Sequence, residues 1–165
     1  MRKKTFFCVV IAALFVICVI YKIKQTPYDF LVKHSGKEAA VAPEELLYQC
    51  RLEGTKILLF YTNSNGNASC AIIKKKIMGY KLLNISSELS LVREDKASNY
   101  MISSWDDRKD REWIMWGILR NQNIDQVAIG NNKADIVEIE TYGIRFFYSV
   151  GENSFDDVEP DFIKK

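Results

Sequence analysis

The sequence has little of what most catalytic or metal centres require. Its 165 residues include a single histidine, His34, and four cysteines. One histidine rules out a metal site built from several imidazoles, and it leaves only His34 as the base of a Ser-His-Asp triad. The sequence also contains no glycine-rich phosphate loop, no zinc-type Cys-x-x-Cys motif and no nucleophile elbow. We therefore predict that the protein is not an enzyme and has no catalytic, cofactor-binding or metal-binding residues.

Acidic residues are missing from the start of the chain, where the first one is Asp29. Five basic residues precede it: Arg2, Lys3, Lys4, Lys22 and Lys24. The rest of the chain holds the other 18 of the 23 basic residues and all 21 acidic residues, so its net charge is about −3. Nucleic-acid binding needs a cationic face, so this balance excludes nucleic acid as the predicted partner. The apolar share of 48% indicates a globular protein.

The longest uncharged segment is Thr5–Tyr21, TFFCVVIAALFVICVIY, with 17 residues. As a helix it would be about 26 Å long, which is at the short limit for crossing the hydrocarbon core of a bilayer. A buried core helix would show polar residues on one face, and this segment has none. We therefore predict a membrane anchor over residues 1–24, with the lipid bilayer as the partner of Thr5–Tyr21. Cys8 and Cys18 then lie among the apolar membrane residues.

The same segment could instead be a cleaved signal peptide, which needs small residues just beyond the apolar stretch. The chain reads Tyr21-Lys22-Ile23-Lys24 there, and the Ala40-Val41-Ala42 triplet lies too far along. This favours an uncleaved signal-anchor. The basic residues and terminal amine before the segment outnumber the two lysines that follow it, so the positive-inside rule predicts a cytoplasmic N-terminus. The protein is then a single-pass cell-membrane protein with its C-terminal domain outside.

Residues 25–43 have mixed composition and predict a juxtamembrane linker with room for a short helical turn. Pro43-Glu44-Glu45 has the form of a helix start, and a first strand through Leu46-Leu47-Tyr48 is the alternative. Residues 86–98 are polar and show no clear period. The tail, residues 151–165, is acidic and is expected to fray.

Strand-like periodicity and turn signals dominate residues 44–150. The predicted strands are Lys56–Tyr61, Ser69–Ile73, Tyr80–Ile85, Asn99–Trp105, Trp113–Leu119, Gln126–Ile129, Asp135–Glu140 and Ile144–Val150. No long amphipathic helix is evident between them. The sequence therefore predicts a mainly-β fold, in which a transmembrane helix precedes a small antiparallel β-sheet or sandwich domain.

Cys50 and Cys70 are the only cysteines beyond the anchor. A disulfide between them is permitted outside the cell, but their strands are expected to flank Lys56–Tyr61 on opposite sides. That places them about 10 Å apart, which is too far to bridge, so two free thiols are favoured. A catalytic thiol is disfavoured because only His34 could serve as its partner.

Two charged clusters invite functional interpretations. Asp106, Asp107, Asp110 and Glu112 could supply oxygen ligands to calcium, but the spacing is not that of an EF-hand and the neighbouring basic residues neutralise the loop. A solvated turn is favoured, as it is for the tail acids Asp156, Asp157, Glu159 and Asp161. Lys74-Lys75-Lys76 is expected to end a strand or to protect a sheet edge against aggregation.

Trp105, Trp113 and Trp116 could form an exposed aromatic platform for sugars or peptides, although packing in the core is favoured. Trp113 and Trp116 have opposite strand parity, so at most one of them needs to be in the core. Asn67-Ala68-Ser69 and Asn84-Ile85-Ser86 match the glycosylation acceptor pattern, which matters only in a host that glycosylates secreted proteins.

Residues 45 to 150 contain four short motifs in this order: Phe60-Tyr61, Met78-Gly79-Tyr80-Lys81, Trp116-Gly117-Ile118 and Gly143-Ile144-Arg145-Phe146. With the anchor and the linker before them, these motifs resemble those of small membrane-anchored envelope proteins of Gram-positive bacteria that carry no established activity. In this comparison Gly117 is expected to mark a strand bulge and Gly143 a turn.

Three functions remain open at this point. The first is an extracytoplasmic binding or interaction module with a protein or envelope partner, and the second is an accessory subunit of a membrane protein complex. The third is a hydrolase that uses paired carboxylates, with Glu138 and Glu140 or the acids of 106–112 as the only candidates. An alternating wet face explains Glu138 and Glu140 more simply, so the binding module is the preferred hypothesis.

Overall fold

The structure is a computed structural model that describes residues 7, 10–14, 16, 25–36, 41–92, 98–107, 110–152 and 159–164. Most of the predicted anchor, Thr5–Tyr21, lies outside the described residues, and the described positions within it are helical. Within the described residues, no helix has both the length and the apolar character needed to cross a membrane.

The described chain is mainly β, as the sequence predicts. After the helical positions of the anchor segment comes the helix α1 (Pro27–His34). The strands are β1 (Pro43–Arg51), β2 (Lys56–Asn63), β3 (Ala68–Lys75), β4 (Tyr80–Ile85), β5 (Ser98–Asp107), β6 (Asp110–Leu119), β7 (Ile124–Ile129), β8 (Asn132–Lys133), β9 (Asp135–Ile139), β10 (Ile144–Glu152) and β11 (Pro160–Lys164). A short 3-10 helix, Glu140–Tyr142, joins β9 to β10.

The strands form three antiparallel sheets, which confirms the predicted antiparallel architecture. Sheet A has the order β1-β2-β3-β4, sheet B the order β5-β6-β10-β9, and sheet C the order β11-β7-β8. Sheet A is a simple meander in which each strand pairs with the next along the chain. The ambiguous segment after Pro43 is therefore the first strand of sheet A and not a helix.

Sheet A is buried on both faces because its two central strands are apolar at almost every position. In β2, Leu58 and Phe60 face sheet B, whereas Ile57, Leu59 and Tyr61 pack against α1. Side chains alternate between faces along a strand, so a continuous apolar run needs cover on both sides. The linker supplies that cover through the helix.

Helix α1 begins with a capping box that the linker sequence encodes. The Thr26 hydroxyl accepts a hydrogen bond from the Asp29 backbone N–H at 3.0 Å, and the Thr26 N–H donates to the Asp29 carboxylate at 3.1 Å. These bonds satisfy backbone groups that a helix end leaves unpaired, and Pro27 suits the first turn. The hydrogen bonds lower the pKa of Asp29. Phe30 and Leu31 then face sheet A.

Sheet B lies between sheets A and C and is also buried on both faces. In β6, Ile114 and Trp116 face sheet A, whereas Trp113 and Met115 face sheet C. Trp113 and Trp116 are both buried, as core packing predicts, although their opposite strand parity required only one of them to be in the core. Trp105 is buried as well. Parity separates the two faces of a strand, but it does not reveal that a third sheet covers the second face.

Gly117 serves close packing and not the expected strand bulge. It pairs with Phe147 in β10 and Tyr100 in β5 without a register shift. A Cβ atom at Gly117 would lie 2.5 Å from Cε1 of Phe147, so only glycine leaves room for the aromatic ring to pack against the strand there. Gly143 does form the expected turn, with a left-handed φ of 60°.

The acidic tail is partly ordered, which corrects the expectation that residues 151–165 fray. Residues 153–158, with Asp156 and Asp157, lie outside the described residues. Strand β11 pairs with β7, and the ring of Phe162 meets that of Phe147 edge-on at 5.7 Å between centroids. Glu159 and Asp161 are exposed, so the acids face water while Phe162 faces the core. The many acidic residues of the tail obscured the strand-like alternation in its sequence.

We expect the Phe162→Ala substitution to lower the free energy of unfolding by about 2–3 kcal/mol, because it empties a half-buried aromatic site against Phe147. Ile163→Ala is the matched control, since Ile163 lies on the same strand and is exposed. The control should change stability by less than about 0.5 kcal/mol. Urea unfolding followed by circular dichroism measures both. Equal, small effects would show that β11 contributes nothing to the fold.

Candidate functional site

A cleft of about 560 Å³ lies where parts of the three sheets approach one another. Its walls come from the end of β1, the β1–β2 turn and the start of β2 in sheet A, and from the final residues of β10 in sheet B. Asn132 and Lys133 of β8 and Asp135 of β9 complete it. The volume falls within the range of about 300–1,000 Å³ that small-ligand pockets occupy.

A buried ion pair connects sheets A and B at this cleft. The Lys56 ammonium donates to Oε1 of Glu112 over 2.5 Å. Only 5% of Glu112 is exposed, and its second oxygen, Oε2, is buried without a hydrogen-bond partner among the described residues. A buried carboxylate oxygen without a partner is unfavourable, so the ion pair stabilises the fold less than a fully hydrogen-bonded pair would.

A second ion pair links the same two sheets further along. The Lys74 ammonium donates to Oδ2 of Asp107 at 2.5 Å, and this hydrogen bond lowers the pKa of the Asp107 carboxyl. The expectation that the acids of 106–112 form a solvated turn therefore fails for Asp107 and Glu112, which are buried. Asp106 is exposed as expected. The side chain of Asp110 lies outside the described residues.

The lysine run also differs in part from its prediction. Strand β3 ends at Lys75, as expected for a run that terminates a strand. However, β3 pairs with β2 on one side and β4 on the other, so the run does not protect an edge of sheet A. Lys74 instead holds the two sheets together through Asp107.

Strand β10 has an unpaired edge inside the cleft. On one side β10 pairs with β6 along Arg145–Glu152, but on the other it pairs with β9 only along Ile144–Tyr148. Strand β9 begins at Asp135, opposite Tyr148. No strand among the described residues pairs with the second edge of residues 149–152, which line the cleft. A strand edge of this kind can pair with another extended chain.

Tyr148 lines the cleft, and its hydroxyl contacts the Cys50 thiol behind it. The Cys50 thiol and the Tyr148 hydroxyl lie 3.3 Å apart, and burial together with this contact raises the pKa of Tyr148. Cys50 and Cys70 are both free, and their strands flank β2 as the sequence predicts. Burial raises the pKa of the Cys70 thiol, which keeps it protonated and unreactive.

The polar segment after β4, residues 86–92, has a structural role that could not be inferred from its amino-acid composition. Ser86 accepts a hydrogen bond from the indole N–H of Trp116 at 2.8 Å, within the A–B interface. Glu88 accepts hydrogen bonds from the side-chain amides of Asn65, at 3.1 Å, and Asn63, at 2.6 Å. These bonds lower the pKa of Glu88. The segment thus satisfies polar groups of the core and of the β2–β3 turn.

The other residues singled out in the sequence lie elsewhere. Glu138 and Glu140 are exposed and do not line the cleft, and Glu140 belongs to the 3-10 helix, so the two do not share a strand face. His34 is exposed on α1, where its ring stacks on Phe30 with 4.1 Å between the ring centroids.

In the glycosylation patterns, Ser69 is fully buried and Asn84 donates to the Ser103 hydroxyl at 2.6 Å. Among the described residues, no three acidic, histidine or cysteine side chains group to hold a metal ion.

Sequence reasoning missed the pairing of Lys56 with Glu112, although one signal was present. Glu112 has the same strand parity as Ile114 and Trp116, so it extends the core-facing row of β6. An acid in such a row is expected to need a cationic partner. The sequence could not identify Lys56, which lies 56 positions away.

Comparison with known proteins gives no match to any family model, curated protein or solved structure. The resemblance to small envelope proteins of Gram-positive bacteria therefore stays a prediction.

We expect Lys56→Met to destabilise the fold by about 3–5 kcal/mol, because it leaves the Glu112 carboxylate buried without its partner. The double variant Lys56→Met with Glu112→Leu should recover most of that loss, since no buried charge remains. Lys75→Met is the control, because Lys75 is exposed and has no ion pair among the described residues. Thermal and urea unfolding measure all three. A single variant as stable as the control would rule out a structural role for the ion pair.

Proposed function

We propose that the protein is a membrane-anchored binding module that holds an extended peptide segment in the cleft between its sheets. The observation that supports this best is the unpaired edge of β10 at residues 149–152, which lines the cleft. A strand with a free edge pairs readily with another extended chain, because its N–H and C=O groups point outward in a regular row.

The position of this edge favours a specific partner over general aggregation. Exposed edges attract other edges, and proteins commonly protect them by covering them. Here the edge lies beside sheet A and the β8–β9 segment, which leave limited room next to it. Four extended residues span about 13 Å, and a paired strand lies about 4.8 Å away, so a short segment suits a cleft of this size.

The charges around the cleft favour a segment with a basic side chain. Four acids and three basic residues line it: Glu53, Glu112, Asp135 and Glu152 against Arg51, Lys56 and Lys133. Because Lys56 is paired with Glu112, the exposed acids of the lining, Glu53, Asp135 and Glu152, outnumber the two other basic residues there. A lysine or arginine of the bound segment would pair with these acids, and a charge-assisted hydrogen bond is stronger than a neutral one.

The role proposed for this site is binding and not catalysis. Its two central side chains already form an ion pair with each other, and the carboxylates considered for hydrolysis, Glu138 and Glu140, lie outside the cleft lining. The binding module is favoured over an accessory subunit because the cleft offers a defined recognition surface of its own.

The proposed location follows from the start of the sequence. Thr5–Tyr21 would cross the bilayer, with the N-terminus in the cytoplasm and the cleft outside the cell. The uncharged run and the excess of basic residues before it support this arrangement. The partner segment would then belong to a protein of the envelope or to the outer part of a membrane protein.

We expect the full chain in lipid nanodiscs to bind a decapeptide of alternating Thr and Lys more tightly than decapeptides of alternating Thr and Glu or Thr and Ser. The peptide should slow hydrogen exchange at those amides of residues 149–152 that point away from β6, because it pairs with the free edge. Calorimetry and hydrogen-exchange mass spectrometry measure the two effects. Binding without protection of these amides would contradict strand pairing.

Three Glu→Gln variants test where the basic side chain of the peptide binds. Glu53→Gln, at an exposed acid of the cleft lining, should weaken binding by up to about fivefold, since a surface charge pair with the peptide is lost. Glu152→Gln, on the exposed rim, is the second variant and avoids any loss of folding. Glu138→Gln removes the same charge outside the cleft and should leave affinity unchanged. A similar affinity in all three variants would contradict recognition in the cleft.

We expect external protease to remove a tag placed after Lys165 when it is added to intact protoplasts, because the domain is proposed to lie outside the cell. A known cytoplasmic protein must remain intact as the control. Replacing Arg2, Lys3 and Lys4 with Ser should reduce tag cleavage, since these charges are proposed to keep the N-terminus inside. A tag that survives while a known external domain is digested would contradict the proposed topology.

A further inference from the structure

The turn between β3 and β4 carries an exposed apolar apex surrounded by lysines. Ile77 is fully exposed and Met78 is 52% exposed. Single exposed apolar residues are normal on protein surfaces, but here two adjacent ones project at the end of a hairpin. We name the segment Lys75–Lys81 the hairpin tip. The cleft and its proposed peptide do not involve these residues.

The backbone of the hairpin tip keeps Ile77 and Met78 away from the rest of the domain. Lys75 pairs with Tyr80, and the Lys76 N–H donates to the Gly79 carbonyl at 3.0 Å. Gly79 has a φ of 89°, which other residues rarely adopt, and this closes a tight turn. The two apolar side chains therefore stand at the apex of a rigid hairpin.

Positive charge surrounds the apex with little to neutralise it. A shallow depression beside the tip is lined by Lys74, Lys75, Lys76 and Lys81, and its only acid is Asp107. Asp107 is already paired with Lys74. Among the described residues, the other three lysines form no ion pair, and all three are exposed.

We propose that the hairpin tip docks on the surface of a bilayer that contains anionic lipids. Ile77 and Met78 would enter the boundary between headgroups and acyl chains, and the lysines would lie against the lipid phosphates. This occupant is favoured because it offers an apolar layer directly beneath a layer of negative charge. A nucleic acid would satisfy the lysines but would leave both apolar side chains in water.

The experiment places a fluorescent reporter at the apex of the full chain, reconstituted in lipid vesicles. Ile77→Trp adds an exposed tryptophan, and the spectrum of the unmodified chain, whose three tryptophans are buried, is subtracted. Bromine-labelled phosphatidylcholine quenches a tryptophan that enters the bilayer. The probes are vesicles of this lipid alone and vesicles that also contain phosphatidylglycerol. Insertion of the anchor segment does not affect the result, because only the fluorescence of the added tryptophan is measured.

The expected result is a blue shift and strong quenching in the phosphatidylglycerol vesicles, with weak quenching in phosphatidylcholine alone. Adding Lys75→Ser and Lys76→Ser should lower the ratio of inserted to free tips by about 30-fold, since each lysine near an anionic surface contributes about fivefold. Val92→Trp is the control, because Val92 is exposed and lies outside the hairpin tip. Its tryptophan should not respond to phosphatidylglycerol.

Two outcomes would overturn the proposal. One is emission typical of water with no quenching in both kinds of vesicle, which would leave a protein groove as the partner of the tip. The other is quenching that is equal in both vesicles and unaffected by the lysine substitutions, which would show that anionic lipid is not recognised. Neither outcome bears on the peptide proposed for the cleft.

Discussion

The architecture depends on the aromatic contact between sheets A and B. The ring of Phe60, from the middle of sheet A, stacks on Phe146 with centroids 4.8 Å apart and meets Trp116 at 5.4 Å. All three side chains are fully buried. Because each comes from a central strand, their packing fixes the distance and angle between the sheets. Strand parity then directs the alternate side chains of β6 and β10, such as Met115 and Phe147, towards sheet C.

The charged residues between the sheets occur where this apolar layer ends. Lys56 and Lys74 lie at the end of sheet A furthest from the β2–β3 turn, and they pair with Glu112 and Asp107 of the β5–β6 hairpin. The ion pairs lie at the boundary of the apolar core, and they leave space between the sheets beside them. The cleft lies beside the first of them, where β10 extends beyond its pairing with β9 and, among the described residues, pairs only with β6.

The two proposed binding regions share a neighbouring element, the β1–β2 turn. Leu52 and Lys56 line the cleft, while Thr55 lines the depression beside the hairpin tip. The Lys75 N–H also donates to the Thr55 carbonyl at 2.8 Å, which joins the tip to this turn. A domain docked through the tip would therefore hold its cleft close to the bilayer, where segments of membrane proteins emerge.

The sequence alone determined eight of the eleven described strands, because alternation and turn residues act over a few neighbouring positions. Lys56–Tyr61 and Ile144–Val150 are correct to within two residues at each end, and the separation of Cys50 from Cys70 followed from strand order. Only the tertiary structure decided which faces are covered. The burial of Trp113, the pairing of Lys56 with Glu112 and the ordering of β11 all depend on elements far apart in the chain. Local periodicity contains no information about such contacts, since it defines the faces of a strand but not what packs against them.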